Sequence, residues 1–189
     1  MTKVFIGGSR SLSRLSPTVK ARADNIIARS FTVLIGDANG MDKAVQSYLA
    51  DKGYKNVIVY CAGERCRNNI GQWETKFIET GEDHKGFDYY AVKDMEMAKD
   101  ASYGFMIWDG KSRGTLNNII NLLNLEKRVL VYFSPENHCY TLKSCRDIMG
   151  LLNKCDDNAR IGFEKYFSLA ECTAPQQVPL KFEHSSTDK

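Results

Sequence analysis

The chain has little of what marks several functional classes. Its net charge is only +3, from 26 basic and 23 acidic residues. That is too slight a surplus for a duplex nucleic-acid surface, which shows a clustered basic face. No run approaches the roughly 18 apolar residues of a membrane span. Its three histidines (His84, His138, His184) lie far apart, and its six cysteines (Cys61, Cys66, Cys139, Cys145, Cys155, Cys172) form no C-x-x-C pair. A zinc site needs closer, recurring ligand pairs, so no metal is expected, and the cysteines read as free thiols. MTKVFIGGSR at the amino terminus runs straight into a strand without a leader pattern, so the expected location is cytoplasmic. Neither G-x-G-x-x-G nor G-x-x-x-x-G-K-[ST] occurs, which removes the usual dinucleotide and P-loop fingerprints.

What is present is an alternation of apolar runs and helical stripes. The runs 3–9, 31–37, 56–62, 103–109 and 128–134 read as strands. Their near-continuous apolar character fits strands covered on both faces. Helical stripes follow four of them: Val19, Ala23, Ile26 and Ile27; Met41 to Leu49; Tyr90, Asp94, Met97 and Ala101; and Leu116 to Leu123. Ser16-Pro17 has the form of an N-cap with proline at the first helical position. Right-handed crossovers then predict an α/β fold with a doubly wound, parallel, five-stranded Rossmann-like sheet in the order 3-2-1-4-5. This domain is expected over 1–135. After Pro135 the pattern predicts a helical extension over 136–172, from Leu142, Cys145, Ile148, Met149 and Leu152 and then Phe163, Tyr166, Phe167 and Ala170. Residues 173–189 read as a weakly ordered tail.

Three glycine-bearing turns follow strands: IGGSR (6–10), GDANGMD (36–42) and DGKSRGT (109–115). In an open parallel sheet such turns share the carboxyl edge, where ligands bind. Glycine permits close backbone approach, and a helix start offers free N–H donors to an anion. The expected ligand-binding set is therefore Gly7, Gly8, Ser9, Arg10, Gly36, Asp37, Gly40, Asp42, Arg113, Gly114 and Thr115. Arg10 can pair with phosphate through two parallel bonds. Asp37 could hold a ribose hydroxyl. Asp42 also has a plain structural role, since a carboxylate is favoured in a first helical turn. The polar stretch 63–86 adds Arg65, Arg67, Trp73 and Glu74. Trp73 either stacks on a base or covers the core, and the arginines either reach phosphate or are solvated. EDHK (82–85) reads as a solvated turn.

The order of IGGSR, GDANGMD, a helix ending KDMEMAKDA, an apolar strand and DGKSRGT resembles the SLOG superfamily, over about residues 3–134. That Rossmann-like group includes the Lonely Guy phosphoribohydrolases and the DNA-processing protein DprA; the likeness is to its small bacterial and phage members. It implies binding of a nucleotide or phosphorylated derivative, with a homodimer or larger assembly. Lonely Guy enzymes carry P-G-G-x-G-T-x-x-E. Here Asn118 stands at the glutamate and Asp109 at the proline. An amide cannot serve as a general base or stabilise an oxocarbenium ion. The sequence therefore favours a ligand-binding or sensor domain that needs no cofactor. The alternative is an N-glycoside hydrolase or transferase acting on nucleoside monophosphates. Asp37, Glu74 and Asp109, with Asp94, are the carboxylates that could then replace the missing one. Membrane and nucleic-acid partners are not expected.

Overall fold

A computed structural model of the chain describes residues 1–79 and 87–166. The strands are β1 (Lys3–Gly8), β2 (Thr32–Gly36), β3 (Val57–Ala62), β4 (Glu74–Ile78), β5 (Tyr103–Trp108), β6 (Val129–Phe133) and β7 (His138–Leu142). The helices are α1 (Pro17–Ala28), α2 (Met41–Asp51), α3 (Phe87–Asp100), α4 (Arg113–Asn124), α5 (Cys145–Leu152) and α6 (Asp157–Tyr166). The strands form one sheet in the order β4-β3-β2-β1-β5-β6-β7. All pairs are parallel except β6 with β7.

Alternation along the strands builds two cores. Phe5, Leu34, Tyr60, Met106 and Trp108 pack on one face with residues of α3, α4 and α5. Val4, Ile6, Val33, Ile35, Val59 and Ile107 pack on the other with residues of α1 and α2. Helices on both faces make the sheet doubly wound. The five strands read from apolar runs hold the expected relative order, with β1 at the switch between β2 and β5. The sheet has seven strands rather than five, however. The two extra strands are its edges, and in each only the last residue is buried. An edge strand needs no apolar run, so neither announces itself. Past Pro135 the chain makes a single 3-10 turn. Asn137, in the left-handed region at φ 51°, then returns it as β7, braced by the Tyr132 hydroxyl donating to Asn137 Oδ1 at 2.7 Å. The stretch 136–172 thus opens with a sheet strand, not a helix. Its second helix, α6, begins at Asp157, before the stripe that suggested it. The tail 173–189 and EDHK lie outside the described residues.

Helix starts at the working edge are fixed by capping. Ser16 Oγ accepts the Val19 N–H at 3.3 Å, and Ser112 Oγ accepts the Thr115 N–H at 3.3 Å. Behind α4, Trp108 is fully buried. It packs against Phe133 and Phe163 at centroid distances of 5.8 and 5.7 Å, and its Nε1–H donates to Ser112 O at 3.0 Å. One side chain thereby ties α6, the sheet and the third turn together. Trp108→Ala should cost about 3–5 kcal/mol, the range for deleting a buried aromatic; urea unfolding of both proteins measures it.

Candidate functional site

The three turns open on the same edge because β1, β2 and β5 run parallel and end at Gly8, Gly36 and Trp108. Between them lies a cavity of about 560 Å³. Gly7, Gly8, Arg10, Asp42, Arg113, Gly114 and Thr115 line it, together with Asp109 and Asn118. Ser9, Gly36, Asp37 and Gly40 do not; they hold the wall in place from behind.

Close approach explains two of the glycines. A Cβ on Gly8 would stand 2.6 Å from Ile107 O and 2.6 Å from Met41 Cγ. A Cβ on Gly36 would stand 2.5 Å from Asp42 Oδ2 and 2.9 Å from Lys93 Nζ. Ser9 is fully buried. Its Oγ accepts the Asp109 N–H at 3.1 Å and lies 3.4 Å from Thr115 Oγ1, so it pins the first turn to the third. Arg10 is exposed at the rim, 5.2 Å from the centre of the Tyr90 ring. The Arg67 guanidinium lies over the same ring at 4.5 Å.

Of the carboxylates proposed from sequence, Asp37 and Asp109 are engaged by the scaffold. Asp37 is buried and takes Arg67 through two side-chain bonds, Nη2 to Oδ1 at 2.6 Å and Nε to Oδ2 at 3.0 Å, and through the Arg67 backbone N–H at 3.0 Å. Burial alone would raise its pKa, but the bonds and charge of Arg67 outweigh that and hold the carboxyl below its usual range. Asp109 accepts the Ser11 hydroxyl and the backbone N–H groups of Lys111 and Ser112 at 2.9 and 2.8 Å. These bonds also outweigh burial and lower its pKa. Glu74 begins β4 and is exposed at the amino edge, away from the cavity. Trp73 is a core residue whose Nε1–H donates to Tyr54 O at 2.8 Å. Arg65 is exposed and does not line the cavity.

The exception is Asp42. Burial pushes its carboxyl up to about 6; Lys93 opposes the rise, and Asp94 adds to it. Lys93, on α3, is only 3% exposed and pairs with Asp94 Oδ1 at 2.7 Å. Burial works against the Lys93 ammonium, but Asp94, Asp42 and Asp37 more than offset that and keep it charged. Sequence reading placed Tyr90, Asp94 and Met97 on one face of α3 but passed over Lys93. The available signal was position: Lys93 lies three residues after Tyr90 and four before Met97, so it shares their side of the helix. On the opposite wall, Asn118 is 7% exposed and its Oδ1 is buried without a hydrogen-bond partner. Asp42, Asp94 and Lys93 mark the α2/α3 end, and the start of α4 with Asp109, Lys111 and Arg113 marks the other. Lys111 also reaches Asp156 at 3.1 Å.

The expectation of free thiols fails at one place. Cys61 and Cys66 form a disulfide, with Cα atoms 5.2 Å apart, joining the end of β3 to the loop that carries Arg67. The sharp turn after β3, with Gly63 at φ 70°, brings residues five apart face to face, which a spacing rule for paired cysteines does not capture. Cys139 and Cys155 remain thiols. Ligand atoms of Asp37, Cys61 and Cys66 lie within 4.8 Å of one another. In this state the sulfurs are bonded together and Asp37 is occupied by Arg67, so the trio offers no open metal position.

Among solved structures, DNA processing protein A from Helicobacter pylori, a single-stranded DNA binder, matches with a TM-score of 0.50 at 16% identity. The match covers 69% of this chain and 64% of that one. Over the matched residues the chain shares that protein's fold. DNA processing protein A from Streptococcus pneumoniae is aligned at a TM-score of 0.48 and 18% identity, over 69% of this chain and 50% of that one. The protein TM1055 gives 0.48 and 19%, over 68% and 72%. The chain thus spans a little under two-thirds of the Helicobacter protein it matches. No family model and no curated protein matches the sequence. Among the described residues, no helix is long and apolar enough to cross a membrane.

The two kinds of carboxylate make opposite contributions to stability with pH. Asp42 keeps its proton in the folded protein up to about pH 6, whereas the unfolded chain loses it near 3.8. Folding then binds protons in that window, so this contribution to stability falls as pH rises from about 4 to 6. Asp37, lowered by Arg67, contributes stability above the ordinary carboxylate range and loses it as pH falls through its depressed pKa. Carbon-13 NMR of the aspartate carboxyls should show Asp42 titrating near 6 and Asp37 below 3.8.

Proposed function

We propose that the protein binds a nucleotide or phosphorylated nucleotide derivative at the carboxyl edge of its sheet, as a ligand-binding or sensor domain. The observation that carries this reading is the cavity where the three turns meet, with the capped start of α4 and the basic side chains of Lys111 and Arg113 at one end. An anion placed at the start of α4 would meet the Gly114 N–H and the helix dipole. Nothing would crowd it at Gly114, where a Cβ would have no neighbour within 4 Å. Arg10 and Arg113 would add charge from the rim. The two helix starts sit over strands two positions apart in the sheet, roughly 10 Å, leaving room for a sugar between phosphate and base. The unpartnered Asn118 Oδ1 on the α4 wall would accept a hydroxyl of that sugar, since a buried acceptor without a donor is costly in the empty site.

Arg10 makes the sharpest test. It forms no ion pair with any described residue, and its ring partner Tyr90 also has Arg67. Arg10→Ala should therefore weaken binding of a nucleoside monophosphate by ~1.5–3 kcal/mol, the range for hydrogen bonds to charged groups, with the melting temperature nearly unchanged. Calorimetric titration of the two proteins measures it, and equal affinities would remove Arg10 from the site.

A further inference from the structure

Asp37, Cys61 and Cys66 come from three stretches of chain: the residue after β2, the end of β3 and the loop that follows it. Their ligand atoms lie within 4.8 Å of one another. Asp37 and Cys61 are buried and Cys66 is half-buried. None of the three lines the cavity, so phosphate binding leaves them unused. The loop does not depend on the disulfide alone for its place. Arg67 grips Asp37 with its side chain and its backbone N–H. Asn68 Nδ2 donates to Asp37 O at 2.7 Å. Gln46 on α2, fully buried, donates to Asn68 O at 3.1 Å and accepts the Ile70 N–H at 3.0 Å. Cys61 itself lies in β3, an inner strand between β2 and β4. None of these bonds needs the sulfur–sulfur bond. When that bond is reduced, two thiols remain beside a buried carboxylate.

We propose that in this dithiol form Cys61, Cys66 and Asp37 bind one thiophilic divalent cation of the zinc class. The site opens by thiol–disulfide exchange with an external dithiol. A thiolate of the reductant attacks the half-buried Cys66 sulfur, and Cys61 leaves as its thiolate. The second thiol of the reductant then releases Cys66, and the reductant departs as a disulfide. The cation replaces the two thiol protons, which go to solvent. Two sulfurs and one oxygen are a donor set that suits zinc rather than magnesium or calcium. Zinc lies about 2.3 Å from sulfur and about 2.1 Å from oxygen, so tetrahedral angles set its ligands about 3.6–3.8 Å apart. The spacing of the trio admits that arrangement once the sulfurs part. Two thiolates, a carboxylate and a divalent cation leave one negative charge, which the Arg67 guanidinium neutralises. One oxygen of Asp37 goes to the metal while Arg67 keeps the other, as the outer partner that orients a metal-bound carboxylate. Three protein ligands leave a fourth position for water.

The experiment is anaerobic titration of the whole chain with cobalt(II), once after reduction with a phosphine and once after oxidation with diamide. Cobalt reports tetrahedral thiolate ligation through its visible and near-ultraviolet bands, and zinc should displace it. The reduced protein should take up one equivalent with that spectrum, and the oxidised protein should not. Cys66→Ser should lose part of the thiolate-to-cobalt intensity. It should also weaken binding by more than the roughly tenfold that loss of an outer-shell partner costs. Asp37→Asn should keep the sulfur bands and bind more weakly. That variant leaves Arg67 without its carboxylate, so a second readout uses the parent protein alone. In the reduced chain, zinc should slow alkylation of Cys61 and Cys66 by iodoacetamide and leave the rates at Cys139 and Cys155 unchanged. Equal cobalt uptake in the two oxidation states, undiminished uptake by Cys66→Ser, or no shielding of Cys61 and Cys66 by zinc would each overturn the proposal. The pair would then be a structural disulfide only.

Discussion

A lysine buried to 3% exposure does not stand alone in a protein interior. Removing an ammonium from water costs several kcal/mol unless carboxylates and hydrogen bonds replace its solvation. Lys93 meets that demand with Asp94 at 2.7 Å and with the nearby charges of Asp42 and Asp37. The demand propagates outward. The cluster packs so closely against the end of β2 that residue 36 has no room for a Cβ. α2 must start where Asp42 can turn inward, and α3 must present Lys93 to the same end of the cavity. Arg67 must neutralise Asp37, which would otherwise add a third carboxylate to the group.

The other half of the site rests on a neutral brace. Ser9 has no exposure, and its hydroxyl joins the first turn to the backbone of Asp109. Asp109 in turn gathers Ser11, Lys111 and Ser112, and Ser112 caps α4. A chain of hydrogen bonds thus fixes the α4 start relative to β1. Ser11, Asp109 and Ser112 face the cavity and also brace it, whereas Ser9 and Asp37 act from behind. Ser9, Asp37 and Asp109 support; Arg10, Asp42, Gly114 and Asn118 remain for a ligand. Asp42 is set apart from Asp37 and Asp109 by its partners: they hold several donors each, and it holds one long backbone bond.

Much of this was legible in the sequence, for definite reasons. The five inner strands are apolar on both faces, so FTVLIGD or YGFMIWD announces itself, and the alternation with helical stripes dictates their order. The three glycine turns are short enough that their place after strands puts them on one edge. The edge strands ETKFI and HCYTL escaped because a sheet edge buries little. The roles within the site escaped for another reason. Type and spacing say that Asp37, Asp42 and Asp109 are near the edge, but whether a carboxylate is free depends on residues distant in sequence, such as Arg67 for Asp37 and Ser11 for Asp109. Lys93 was hidden on a helix whose polar residues look solvated until α3 is docked on the sheet. The Cys61–Cys66 bond follows from a turn after β3 that no cysteine motif describes.

The central claim is that an anion-bearing ligand sits at the start of α4 and extends toward Asp42. Amide chemical-shift mapping during titration with adenosine 5′-monophosphate tests it most directly. The account predicts the largest shifts at the Gly114 and Thr115 amides, then at Arg10 and Gly8, with Asp42 responding to the base but not to inorganic phosphate. Shifts confined to other surfaces, such as the groove between α1 and the starts of β5 and β6 lined by Arg22, Arg29 and Arg128, would contradict it.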